Sequence, residues 1–573
     1  MNQTSRTDDT FHNPGWNQNP SPLNPDETTR EDFNGIVNLR QLRGRDQLPG
    51  GLSEDRVFER ETSGDRGDTS RVPAKETGNE LVVTASSRDQ IHHDPAGALT
   101  VQFSIPRLLR PFVKFVSFVG PGFMVAVAYI DPGNYATDIA AGANSKYALL
   151  FIILMSNLFA IFLQSLCIKL GSVTGLNLAE NCRAHLPRWL NVILYILSES
   201  AIIATDIAEV IGAAIALNLL AGIPLVAGCV ITLADVLFLL VFYRPHGSMW
   251  GLRMFEVFVG GLVLAVVILF CYQLSLLEFE SAGEVFRGYL PSSAVVEGSG
   301  LYQSCGILGA TVMPHSLFLG SGTVQPRLRE YDVSRGYVDP PAEGDNEEHF
   351  QSYRPSVHAI RGCLKYSILE LIMCLFTFAL FVNSSILIVA AAALYGTPGA
   401  EDADLFGIHK LLSDSIAPAA GTIFALALLL SGLSAGIVCT ISGQIVSEGM
   451  LNWRLRPWLR RLITRSISII PSVAIAAAVG RRGLNIALTA SQVVLSVILP
   501  FVVGPLVYFT SRNKFMSVKV AGGRASLVGS DDAPMETVKM RNSWPVTALA
   551  ALIWLAITVM NIALLVLVGL GKA

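Results

Sequence analysis

Two short motifs, Asp131-Pro132-Gly133-Asn134 and Met313-Pro314-His315, set a carboxylate, an amide, a thioether and an imidazole inside long apolar segments. Proline removes a backbone donor and clashes with the preceding turn, so a helix breaks or kinks at each motif. Freed backbone groups and ionisable side chains at membrane depth are costly unless they line a cavity or bind something. Together the four side-chain types read as a set of metal ligands. Ala128 lies three residues before Asp131 and Asn134 three after it. This spacing predicts Asp131 and Asn134 at the mouth of an unwound stretch that includes Gly133, with the Ala128 carbonyl freed into a cavity. Ala310 lies three residues before Met313 and His315 two after it, so the second break mirrors the first.

The ligand types discriminate between metals. Oxygen donors alone suit Mg²⁺ or Ca²⁺. A thioether favours softer first-row ions, which points to Mn²⁺ or Fe²⁺ as substrate, with Co²⁺, Zn²⁺ and Cd²⁺ as competitors. Taken singly, a Met in an apolar helix packs the core, a lone His is usually a satisfied core residue, and Asp-Pro-Gly-Asn is a surface turn. Their placement within apolar stretches, at two mirrored breaks, is what favours the metal reading.

A second group of acids stands at Asp206 and Glu209, on one face of a helix, with Glu199 seven residues before Asp206 on roughly the same stripe. Like charges packed together cannot all ionise cheaply, which suits a proton relay. A structural ion pair, for instance with Arg465, is the other reading, and both can hold. Ser491-Gln492 offers an amide that reaches either the metal or a neighbouring helix. Asp235, Glu256, Glu370 and Asn383 are further polar residues in or near apolar runs, expected to pair internally.

The elements that must position these residues are membrane helices. The 573 residues are 51% hydrophobic and 15% charged, with mean hydropathy +0.47, against roughly 25% charged in soluble proteins. Eleven spans are expected, at about 113–143, 147–170, 189–219, 223–243, 252–276, 299–323, 358–394, 411–447, 465–480, 484–509 and 544–570, from apolar blocks of about 20 residues or more. Residues 1–105 are polar and read as a disordered tail without a cleavable signal sequence, open to sorting or ubiquitin machinery through residues such as Lys75. The eight cysteines form no CxxC pair and read as small buried apolar residues.

Basic residues set the orientation. Arg327, Arg329, Arg335, Arg354 and Arg361 follow span six; Arg454, Arg456, Arg460, Arg461 and Arg465 follow span eight; Arg512, Lys514, Lys519, Arg524, Lys539 and Arg541 follow span ten. Alternate loops carry Glu278, Glu280, Glu284 and Glu297 with one Arg287, then Glu401, Asp402 and Asp404. The N-terminus is therefore expected in the cytosol, with Arg481 and Arg482 as exceptions. Spans one and six, both broken, sit five apart, so the second half is inverted relative to the first. Broken helices at matching positions of inverted halves point to a transporter site at the membrane midplane. The halves are expected at about 113–277 and 299–509 within a transporter domain 106–573, with 544–570 as an extra helix.

Over about 105–570 these motifs resemble the natural resistance-associated macrophage protein (Nramp) family. Phe381-Val382-Asn383, Gly443-Gln444-Ile445-Val446-Ser447-Glu448-Gly449 and Leu499-Pro500-Phe501 support the resemblance, and residues 313–320 are similar to its fungal branch. The resemblance implies an all-α, LeuT-like inverted repeat and proton-coupled import of divalent metal. It implies metal ligation by Asp131, Asn134, Met313 and the carbonyls of Ala128 and Ala310, with Gln492 joining in some states. It implies proton handling by Asp131, His315, Asp206 and Glu209, with Arg465 as basic partner, and no cofactor beyond the transported ions. Many members carry a second His where this chain has Gly320. A metal-sensing receptor, a Mg²⁺ carrier and an amino-acid carrier remain as alternatives; no nucleophile–base pair or phosphate loop suggests an enzyme. Plasma, endosomal and vacuolar membranes all fit.

Overall fold

Apolar runs without a central break fold as single long helices. The computed structural model describes residues 120–233, 249–277, 281–297, 300–338, 353–397, 405–452, 457–520 and 536–570; the tail 1–105, Lys75 and Asp235 lie outside them. In chain order the helices are α1 Pro121–Val127, α2 Pro132–Ser145, α3 Leu150–Thr174, α4 Leu178–His185, α5 Arg188–Ala221, α6 Leu225–Ile231, α7 Met249–Ser275, α8 Ala282–Arg287, α9 Gly300–Thr311, α10 Pro314–Gly322, α11 Gln325–Ser334, α12 Val357–Cys374, α13 Leu380–Leu394, α14 Leu405–Ser415, α15 Pro418–Leu451, α16 Pro457–Ala478, α17 Gly480–Ser511 and α18 Trp544–Gly569. A π turn at Leu375–Ala379 joins α12 to α13.

Among the described residues, eight helical segments are long and apolar enough to cross a membrane. The first, fourth and ninth expected spans are not among these eight. The first is split into α1 and α2, the fourth is described only as far as residue 233, and the apolar part of the ninth covers Leu462–Ala478. The eighth expected span, 411–447, needs correction. Ala417 is extended and Pro418 starts α15, which runs on to Leu451, while residues 411–415 belong to the separate helix α14. Proline is favoured at the first helical position because its missing N–H is unused there.

The outermost helix, α18, exposes Leu552, Leu555, Val559, Ile562 and Leu565, a surface suited to lipid. The Trp554 indole of α18 donates to the Pro500 carbonyl of α17 at 2.9 Å. Before α18, strands β1 (Ser517–Val520) and β2 (Glu536–Lys539) pair antiparallel, Ser517 opposite Lys539. All eight cysteines are free; Cys271 is exposed and the other seven are buried. Arg481, one of the two charges that broke the orientation pattern, is exposed and sits 4.3 Å from the ring centroid of Phe406, a cation–π contact.

Candidate metal centre

The first break spans Ala128–Asp131. The chain leaves α1 at Ala128 and re-enters a helix at Pro132, the first position of α2. Asp131 caps α2: its carboxylate accepts from the N–H of Gly133 at 3.1 Å and of Asn134 at 3.0 Å. This uses two of the helix's orphan donors and fixes the carboxylate at a positive helix end. Gly133 therefore lies in the first turn of α2, not in the unwound stretch as the spacing suggested. Pro132 is pre-set for helix, so winding resumes one residue after Asp131.

The carbonyls released by unwinding find different partners. Tyr129 O accepts from Asn134 Nδ2 at 3.1 Å and from Asn383 Nδ2 at 3.0 Å. Ile130 O accepts from the Ser431 hydroxyl at 2.7 Å. Among the described residues, Ala128 O receives none of the backbone hydrogen bonds made outside regular helices.

The second break is the single gap Val312–Met313 between α9 and α10. Met313 is extended at the start of α10 and 1% exposed. The two breaks touch. Asn134 Nδ2 donates 3.1 Å to Ala310 O, on α9, and 2.7 Å to Asp131 Oδ1. Gln492 joins from α17: a Cβ built on Gly133 would overlap its amide. Its Nε2 donates to the adjacent Ser491 at 2.9 Å rather than to another helix. Its Oε1 is buried and has no hydrogen-bond partner among the described residues.

On the far side of α10, His315 Nδ1 lies 3.4 Å from the Thr205 hydroxyl of α5. The next residue, Asp206, is ion-paired with Arg465 of α16, whose guanidinium also lies 3.6 Å from Glu209 Oε2. The expected pairing of Arg465 with the α5 acids is thus present in the fold. Cys439 brings its thiol to the same two carboxylates. Glu199 stands apart from them, half-buried and hydrogen-bonded to Tyr195.

The model for natural resistance-associated macrophage protein-like sequences matches residues 122–531. The chain belongs to the Nramp family. The manganese transporter pdt1 of Schizosaccharomyces pombe is 55% identical, over 80% of this chain and 86% of that protein. The iron transporter SMF3 of Saccharomyces cerevisiae is 49% identical, over 80% and 97%. Both place the chain in the fungal branch. The crystal structure of the Eremococcus coleocola manganese transporter matches with a TM-score of 0.64 at 34% identity, over 80% of this chain and 87% of that one. The all-α, LeuT-like architecture expected from the motifs is thereby the fold of the chain.

Against the Nramp pattern, several partners were not read from the sequence. Asn383 pairs internally as expected, although the sequence does not name its partner, and Ser431 carries no sequence signal; both close carbonyls at the first break. Gly320 was noted as a missing His. In the fold, a Cβ at Gly320 would overlap Gln164 Oε1. Gln164 Nε2 binds the Tyr129 hydroxyl at 3.0 Å and the Ser316 hydroxyl at 2.9 Å. Glycine there admits an amide that ties α3 to both breaks. A further cluster grips the start of α1. Glu370 of α12 accepts from the N–H of Gly120 at 2.6 Å and of Gly122 at 2.9 Å, while Glu256 pairs with Arg327.

Proposed function

We propose that this chain imports divalent transition-metal ions, Mn²⁺ and Fe²⁺ foremost, coupled to protons, by alternating access. It is a multi-pass membrane carrier, read here as a transporter and not an enzyme. The observation that carries the reading is Asn134 bridging the two breaks, with hydrogen bonds to Asp131 and Ala310. Asp131, Asn134, Met313 and the Ala128 and Ala310 carbonyls are the proposed ligands, with Gln492 joining in some states. This donor set has one negative charge and one soft sulfur. It holds a dication firmly enough to select it and weakly enough to release it.

A dication at Asp131 and a proton on Asp131 compete for the same oxygens. Metal binding therefore sends a proton toward His315 and, across Thr205, toward Asp206 and Glu209, whose charge Arg465 balances. The basic loops around Arg327 and Arg329 put the tail 1–105 and the start of α1 in the cytosol. Opening on that side then requires α1 to leave the Glu370 carboxylate. The repeats at about 113–277 and 299–509 supply the rocking halves, with α18 outside them. Plasma, endosomal or vacuolar membranes fit this direction of transport, from an acidic compartment into the cytosol.

The test is Mn²⁺ uptake into proteoliposomes with internal pH recorded, for wild type and Asp131→Ala. Uptake and acidification should both vanish in the variant; undiminished uptake refutes the assignment. Met313→Ala should keep some Mn²⁺ transport and admit Ca²⁺ or Mg²⁺ better. If Ca²⁺ is excluded as before, the sulfur does not set selectivity. Metal binding without flux in wild type would instead identify a sensor of the same fold.

A further inference from the structure

We propose that Asp138, with the Asn383 amide oxygen opposite it, forms a second cation station through which a divalent metal passes before it reaches Asp131. The proposal rests on the transport reading above. Asp138 is fully buried, and neither of its carboxylate oxygens has a hydrogen-bond partner among the described residues. Burying an ionised carboxylate without a partner costs far more than losing one hydrogen bond, so Asp138 needs a proton or a cation, and its two oxygens, free of donors in the fold, are open to either.

Its surroundings follow from the packing of α2 on α13. Asn134 and Asn383 both donate to Tyr129 O, at 3.1 and 3.0 Å. Two turns further along α2, a Cβ on Gly142 would meet Leu387 O and Ala391 N of α13. Asp138 lies midway between Asn134 and Gly142, four residues from each, on the same helical face. This register places Asp138 on the side of α2 where Gly142 packs on α13. Asn383 is fully buried, and its Oδ1 likewise lacks a partner. A carboxylate and an amide oxygen, both short of donors, are hard-to-borderline ligands for a divalent cation.

The station lies on a path. Asp138 follows Asp131 by seven residues, about 10 Å along a helix. Beyond it α2 ends at Lys146, whose ammonium pairs with Glu284 at 2.7 Å, in the acidic loop assigned to the outer side. A cation coming from that side meets Asp138 before Asp131.

The experiment is concentration-dependent Mn²⁺ uptake into proteoliposomes by wild type, Asp138→Asn, Asp138→Glu and Asp131→Ala. Asp138→Asn keeps shape and removes charge. It should raise KM about tenfold, equivalent to about 1.4 kcal/mol, while changing kcat less than about twofold. Asp138→Glu, which restores the charge, should return KM to within about threefold of wild type. An unchanged KM in Asp138→Asn overturns the station, as does a fall in kcat at unchanged KM, which marks a purely structural carboxyl. Loss of uptake in Asp131→Ala beside an unchanged KM in Asp138→Asn removes the station alone. Absence of uptake by wild type removes the transport reading with it.

Discussion

Arg465 is 2% exposed and faces two carboxylates, Asp206 and Glu209. Arg465→Met keeps much of the side-chain volume and removes the cation. The two acids then stay buried without their counter-charge. Breaking a buried pair by removing one partner costs about 3–5 kcal/mol, most of it the cost of the stranded charge. Replacing all charged members by neutral groups of similar shape is often neutral or stabilising. Thermal unfolding of the detergent-solubilised protein separates the two cases. Arg465→Met should lower Tm by several degrees, and Asp206→Asn or Glu209→Gln alone should lower it less, since each leaves the other acid with Arg465. The triple variant Asp206→Asn, Glu209→Gln, Arg465→Met should recover most of the loss. Residues in one network are expected to be non-additive in this way. An Arg465→Met protein as stable as wild type, or a triple variant less stable than it, would falsify the argument.

Three further substitutions test the packing around the breaks. Gly133→Ala should cost about 1–3 kcal/mol through overlap with the Gln492 amide, and Mn²⁺ uptake should fall; adding Gln492→Ala should restore Tm without restoring uptake. Gly320→His should displace Gln164 from Tyr129 and Ser316, lowering both Tm and uptake, and Gln164→Ala in the same chain should restore Tm. Glu370→Gln weakens two charge-assisted bonds to the start of α1, worth about 1.5–3 kcal/mol each at most. Cys374, whose Sγ lies beside Gly122, should then react faster with a thiol reagent when it is the only cysteine present; an unchanged rate means that Glu370 does not hold α1.

The breaks were legible in the sequence because each proline stands beside polar or ligand-type side chains, Asp131 and Asn134 at one and Met313 and His315 at the other, whereas Pro471, Pro500 and Pro505 lie inside α16 and α17 without interrupting them. The α5 acids and Arg465 were legible because unpaired charges are not left in lipid. What the sequence did not disclose was partner choice. Asn383 and Ser431 are ordinary polar residues in their own helices, and only the fold shows that each closes a carbonyl released far away in the chain. Gly320 read as a loss; beside Gln164 it is the space that lets an amide reach Tyr129. Asp138, four residues past the Asp131–Asn134 motif, carries no motif signal of its own, and only its burial without a hydrogen-bond partner marks it. Gly133 was placed on the wrong side of the break because glycine suggests unwinding, whereas Pro132 and the Asp131 cap start the helix ahead of it.

The amide of Asn134 shows how a site can hold its shape before an ion arrives. Its Nδ2 lies 2.7 Å from Asp131 Oδ1, 3.1 Å from Tyr129 O and 3.1 Å from Ala310 O. Three oxygens from two broken helices converge on one weakly positive NH₂ group, and a cation asks for the same convergence. On the proposed ligand set, Asn134 ligates through Oδ1, which lies 3.5 Å from the Thr311 hydroxyl, by turning its amide over and releasing Asp131 Oδ1 and Ala310 O to the metal, while Tyr129 O keeps its bond from Asn383. If Asn134 is a ligand as proposed, its side chain serves as a spacer without the ion and as a ligand with it, and that exchange would keep binding weak enough to reverse. Asn134→Asp removes the spacer and adds a charge. Its carboxylate would repel Asp131 without metal and clamp the ion with it. Mn²⁺ should bind more tightly and leave more slowly, so KM and kcat should fall together. A variant with wild-type kcat would mean that the NH₂ group does not set the release step.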